Sequence, residues 1–146
     1  MPKIRLKSLI TLLLSMSLLV GAVLTGACAT PPGINSRVVE DYSARRASAL
    51  VEENRDNPGF VILDVRTPEE FDDGHIETAI NIDFYADTFR DELDVLDKDK
   101  IYLLYCRSGN RSGQTTELMD ELGFTRIDHL TGGTIEWKAE GLPIVR

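Results

Sequence analysis

Two unbroken apolar runs, Phe60-Val61-Ile62-Leu63 and Ile101-Tyr102-Leu103-Leu104-Tyr105, constrain the fold more than any other feature. Four or five successive apolar residues without polar alternation suit a strand covered on both faces, as inside a parallel sheet. Helical patterns surround them. Ser43 can cap a helix in which Ala44, Ala47, Leu50 and Val51 share one face. Asn57-Pro58-Gly59 then turns the chain into the first run. After that run, Thr67-Pro68-Glu69-Glu70 is a capping box with proline at the first helical position. The spacing further predicts a short strand at residues 79–82, helices at 86–96, 111–122 and 134–140, and a strand near 126–130. Strands alternating with helices predict one α/β domain, a parallel sheet with helices on both faces. Ligand sites in such sheets lie beyond the carboxyl ends of the strands.

The second run opens at such an end into Cys106-Arg107-Ser108-Gly109-Asn110-Arg111-Ser112. A thiol between a strand end and a helix start sits over unpaired backbone N–H groups and the positive end of the helix dipole. Both favour thiolate over thiol. Free cysteine is often a small buried hydrophobe, but a core position is not ordinarily followed by Arg-Ser-Gly-Asn-Arg. The polar, turn-rich loop points to a reactive Cys106.

These residues resemble the active-site loop of rhodanese-like sulfurtransferases. Two other stretches agree in order and spacing. One is Asp64-Val65-Arg66-Thr67-Pro68-Glu69-Glu70-Phe71 running on through Gly74-His75-Ile76 to Ala79-Ile80-Asn81-Ile82. The other is Gly132-Gly133-Thr134-Ile135-Glu136-Trp137 with Gly141-Leu142-Pro143, in which Glu136 stands where a small residue is usual. The resemblance implies a rhodanese-like domain over residues 42–146 and a two-step transfer. Cys106 takes a sulfane sulfur from thiosulfate or a persulfide, and a thiol or cyanide then removes it. A protein sulfur acceptor is a further possible partner. No cofactor or metal is implied.

Within that resemblance, the loop N–H groups of Arg107, Ser108, Gly109, Asn110 and Arg111 cradle the persulfide. Arg107 attracts the anionic donor or is merely solvated. Arg111 pairs with an acidic residue and holds the loop first, and binds substrate second. Ser108 and Ser112 donate hydroxyls to the sulfur or cap the helix. Asp64 and Arg66 organise the loops around the site, His75 is a structural hydrogen-bonding residue, and Trp137 packs in the core. His129 lies near the site edge, but a thiolate activated by its loop does not need a base. A tyrosine-phosphatase-like or arsenate-reductase-like site resembles Cys-x5-Arg, whereas Ser112 holds that arginine position here, so phosphate chemistry is the weaker alternative. The alternatives from other classes are a binding module with an idle or redox-sensing cysteine and a protein-to-protein sulfur relay.

The start of the chain reads as an address. Lys3, Arg5 and Lys7 precede an uncharged, mostly apolar stretch from Leu9 to Leu24, and small residues follow before Cys28. Leu24-Thr25-Gly26-Ala27-Cys28 resembles a bacterial lipobox, its leucine one position further from the cysteine than usual. Residues 1–27 are expected as a cleaved lipoprotein signal, with Cys28 lipidated and residues 28–41 as a tether. Plain cleavage after Ala27 and an uncleaved anchor are the other readings. All three export the domain, to the periplasm or cell envelope, and Ala29 in place of aspartate favours an outer membrane where the host has two. Loss of residues 1–27 takes basic residues from 16 to 13 against 24 acidic ones, and the formal charge from −8 to −11. So acidic a chain lacks the basic face a nucleic acid requires, and membrane attachment would rest on the N-terminal lipid. With Cys28 acylated, Cys106 is the one remaining thiol, which leaves no structural disulfide, redox pair or cysteine metal site.

Overall fold

The structure, a computed structural model, describes residues 38–146. The expected signal, Cys28 and most of the tether lie outside the described residues. In chain order the elements are β1 (Val38–Tyr42), α1 (Ala44–Glu53), β2 (Phe60–Asp64), α2 (Pro68–Asp72), β3 (Ile80–Asn81), α3 (Phe89–Asp94), β4 (Ile101–Tyr105), α4 (Asn110–Glu121), β5 (Arg126–Leu130) and α5 (Gly133–Ala139). The five strands form one sheet in the order β1-β5-β4-β2-β3, and every pairing is parallel. This is the α/β architecture expected, with the second apolar run as the central strand.

Burial explains why β4 is apolar throughout. Leu103 and Tyr105 face one layer with Ala44, Ala47 and Trp137 from α1 and α5. Tyr102, Leu104 and Cys106 face the other, with Phe89, Leu93 and Met119 from α3 and α4. From Tyr102 to Cys106 no residue is more than 1% exposed. Each such side chain contributes roughly 1.5–3 kcal/mol through removal from water, so the strand that carries the site is also the anchor of both layers.

Local signals account for most boundaries. Thr67 Oγ1 accepts from the Glu70 N–H and Glu70 accepts from the Thr67 N–H, closing the expected capping box ahead of Pro68. Ser43 holds the N-cap position of α1 in extended conformation, but its side chain makes no capping bond. The helix expected at 86–96 is shorter. Asp83 Oδ1 accepts from the Tyr85 N–H and the Asp83 carbonyl from the Ala86 N–H, which holds that stretch in a turn. At its far end Lys98 Nζ donates to the Leu93 and Asp94 carbonyls and closes the last turn. The strand expected at 79–82 contracts to two residues.

Residues 38–41, expected at the end of the tether, are part of the sheet. With Tyr42 they form β1, with Val38 opposite Arg126, Asp41 opposite His129 and Tyr42 opposite Leu130. The strand is short and polar, and lies on the sheet's edge with one face in solvent, so it has no apolar run to announce it. Among the described residues no helix is long and apolar enough to cross a membrane.

Candidate active site

Cys106 follows the last residue of β4 and is 1% exposed. The chain leaves it through Gly109, which caps α4 at φ +86°. A Cβ at Gly109 would run into the Thr131 carbonyl, so both the positive φ and the close approach call for glycine there. Gly133, at φ +55°, opens α5 against the other side of the loop, where a Cβ would collide with the Cys106 and Arg107 carbonyls. The gap it leaves lets Thr134 N–H donate to the Cys106 carbonyl at 2.9 Å and Ile135 N–H to the Arg107 carbonyl at 3.1 Å. With those carbonyls engaged by α5, the loop's donors are left for the sulfur.

Cys106 Sγ accepts from the Gly109 N–H at 3.2 Å and from the Ser112 hydroxyl at 3.4 Å. Burial by itself pushes the thiol pKa up. The Ser112 hydroxyl and the N–H groups of Ser112, Ser108 and Gly109 outweigh it, and the net direction is downward. The cradle foreseen at 107–111 thus centres on Ser108 and Gly109 and extends to Ser112. Arg107 and Ser108 are exposed at the loop surface, as is Asn110, whose carbonyl and side-chain oxygens accept from Gln114.

Arg111 holds the loop. Its two terminal nitrogens donate to the Glu70 carboxylate at 2.7 and 2.9 Å, and its guanidinium lies over Tyr85 at 5.5 Å from the ring centroid. Glu70 is the same residue that closes the capping box, so α4 is tied to the start of α2. The Arg111 hydrogen bonds hold the Glu70 carboxyl below the usual range against the opposing effect of burial. Asp64 and Arg66 form a buried pair below, with Arg66 Nε and Nη2 on the carboxylate at 2.6–3.0 Å and Nη2 also on the Gly74 carbonyl at 2.9 Å. Asn81 Nδ2 donates to the backbone carbonyls of both residues. The pair shapes the loop after β2 and leaves the sulfur to others.

His75 bonds the Phe71 carbonyl through Nδ1 at 3.0 Å and stacks on the Phe71 ring, while its backbone bridges to Val145. Trp137 is buried and donates to the Pro143 carbonyl. Both are structural, as their motifs suggested. His129 is different. Its Nε2 lies 2.9 Å from Ser112 Oγ and its Nδ1 3.1 Å from Asp41 Oδ1. The sequence pattern offers His129 without a partner, leaves the acidic partner of Arg111 unnamed and puts Asp41 in the tether. The acidic partners are 41 and 88 residues away from Arg111 and His129, and no local pattern marks either pairing.

A parallel α/β sheet whose central strand leads into a cysteine, its sulfur met by the Gly109 N–H and the Ser112 hydroxyl, frames this candidate site. The family of rhodanese-like domains matches residues 47–140. The chain belongs to that family. It is 33% identical to a sulfurtransferase of Allochromatium vinosum over 68% of this chain and 91% of that protein. It is 36% identical to the tRNA uridine(34) hydroxylase of Erwinia tasmaniensis over 71% of this chain, which corresponds to only 32% of that enzyme. The chain thus spans about a third of the length of the hydroxylases it matches. Among solved structures, a rhodanese-related protein from Thermoplasma volcanium superposes with a TM-score of 0.59 at 34% identity, covering 73% of this chain and 97% of that one. A rhodanese-like domain from Anabaena gives a TM-score of 0.62 at 28% identity, over 72% and 77% of the two chains.

Proposed function

We propose that this protein is a sulfurtransferase that carries a sulfane sulfur as a persulfide on Cys106. The observation that carries the reading is the pair of donors on Sγ, the Gly109 N–H and the Ser112 hydroxyl, in a loop whose Cys106 and Arg107 carbonyls are engaged by α5. In the first half-reaction the Cys106 thiolate attacks the outer sulfur of thiosulfate. A new S–S bond forms, the old one breaks, and sulfite leaves with the electron pair. In the second, a thiolate or cyanide attacks the outer sulfur and Cys106 departs as thiolate. The same donors hold the negative charge when it moves one atom out to the persulfide. Kinship with the Allochromatium vinosum sulfurtransferase supports this reading. The hydroxylases share only the part of their length that corresponds to this domain, so their activity on tRNA is not carried over.

Incubation of the full-length chain with thiosulfate should add one sulfur to the Cys106 peptide, and cyanide should remove it as thiocyanate. Cys106→Ser should do neither. A reduced Cys106 that takes no sulfur from thiosulfate or from a low-molecular-weight persulfide would move the assignment to a binding or redox-sensing role. Export is proposed on the N-terminal pattern alone. Residues 1–27 act as a lipoprotein signal, Cys28 carries the lipid, and Cys28→Ala should release the protein to the soluble fraction. Continued membrane retention of that variant after residues 1–27 have been removed rules lipidation out.

A further inference from the structure

The Ser112 hydroxyl has one hydrogen and three neighbours able to accept it. These are His129 Nε2 at 2.9 Å, the Gly109 carbonyl at 3.2 Å and Cys106 Sγ at 3.4 Å. Which of them receives it depends on His129. The other ring nitrogen, Nδ1, faces the Asp41 carboxylate, an acceptor only, so the neutral ring carries its hydrogen on Nδ1. Its Nε2 then presents a lone pair to Ser112 and takes the hydroxyl hydrogen. A protonated ring instead donates from Nε2 to Ser112 Oγ, and the hydroxyl hydrogen is free to point at sulfur.

We propose that His129, held by Asp41 and acting through Ser112, receives the proton that Cys106 gives up when it becomes a nucleophile. The proposal rests on the reading of Cys106 as the group that attacks sulfur. Ser112 Oγ accepts the thiol proton while its own hydrogen passes to His129 Nε2. One S–H bond and one O–H bond break, and one O–H bond and one N–H bond form. The product is a thiolate that accepts from Ser112 and an imidazolium that donates to Ser112 and Asp41. No oxidant or further reactant is involved. His129 is a positioning residue in this scheme, since it reaches the sulfur only through Ser112.

The surroundings of the ring suit the transfer. From β1 it meets Asp41 and from α4 it meets Ser112, with Gly113 close enough that a Cβ there would sit 3.8 Å from Cε1. From β4 its register partner is the apolar Leu104. Arg111, the nearest basic residue along α4, is engaged by Glu70, and Asp128 belongs to the opposite face of β5 by strand alternation. The His129 side chain is 10% exposed and the Asp41 side chain 73%. Solvent therefore screens the Asp41 contact, and its share of the effect is the smaller one.

The test is the pH dependence of Cys106 alkylation by iodoacetamide in the full-length chain, read on the Cys106 peptide by mass spectrometry. His129→Gln keeps a hydrogen-bonding side chain but has no ring nitrogen to take up a proton. It is expected to shift the profile to higher pH by about one unit, a roughly tenfold slower reaction at neutral pH, with the alkaline plateau unchanged. Asp41→Asn, at an exposed position, should shift it the same way by less, about threefold at neutral pH. In a Ser112→Ala background His129→Gln should add nothing, because members of one relay are not additive. A profile that superimposes on the unaltered protein, in whichever of the two single variants retains its thermal transition, overturns the proposal. So does a His129 shift that persists in full without Ser112. Alkylation involves no sulfur transfer. A protein that shows the shift but forms no persulfide therefore overturns sulfur transfer and keeps the relay, and persulfide formation with an insensitive profile does the reverse.

Discussion

Replacing Glu70 by alanine should test the loop's mechanical support. The Glu70 carboxylate accepts from Arg111 at 2.7 and 2.9 Å and from the Thr67 N–H at 3.2 Å. Its side chain is 30% exposed and that of Arg111 12%, so the pair is neither a solvated surface contact nor a fully buried one. Exposed pairs contribute about 0–1 kcal/mol, while breaking a buried pair costs about 3–5 kcal/mol. The exposure here places the clamp toward the middle, near 2 kcal/mol, with the half of the capping box that Glu70 supplies included. For a domain of this length that lowers the melting temperature by roughly 10 °C at neutral pH. The effect must also depend on pH. Because Arg111 holds the folded-state pKa of Glu70 below its usual 4.5, the ionised carboxylate stabilises the fold in full above that value. The contribution fades as pH falls below 4.5 and through the depressed folded-state value. Thermal melts of the unaltered protein and Glu70→Ala, at neutral pH and at a pH below that window, read both quantities. A loss under about 2 °C at neutral pH, or a gap that stays constant into acid, would refute the clamp as an electrostatic support.

Gly133→Ala should lower both the melting temperature and Cys106 reactivity. The new Cβ meets the Cys106 and Arg107 carbonyls at a positive φ, so α5 must withdraw and release the two carbonyls that it holds. A loss of more than about 1 kcal/mol is expected, and a variant with an unchanged melt and alkylation rate would show that the close approach is not required. Asp64→Asn leaves Arg66 charged with no carboxylate in a pair whose side chains are 0% and 4% exposed. A cost of about 3 kcal/mol in denaturant unfolding is expected, and a cost under about 1 kcal/mol would mean that Gly74 and solvent replace the carboxylate.

Much of this protein was legible along the chain because the forces involved act over a few residues. The strands at 60–64 and 101–105 declare themselves by unbroken apolar composition, which only a position between two helical layers can satisfy. The capping box at Thr67 and the polar loop after Cys106 are equally local, and both lie where their motifs place them. Where local chemistry competes, the apolar pattern overstates the helix, as in the turn around Asp83 that delays α3 to Phe89.

Local patterns along the chain are enough to set the class of fold, the strand that leads into the candidate site and the cysteine at its end. What surrounds that sulfur depends on contacts between elements distant in the chain. Glu70 reaches Arg111 because α2 and α4 begin near the same end of the sheet, on loops leaving neighbouring strands. Asp41 reaches His129 because β1, with no hydrophobic run of its own, pairs in register with β5. Parallel pairing joins residues far apart in sequence through backbone hydrogen bonds that any residue type but proline can make. The side chains of β1 therefore carry little record of its partner, and the route from sulfur through Ser112 to His129 and Asp41 becomes visible only once the strands are side by side.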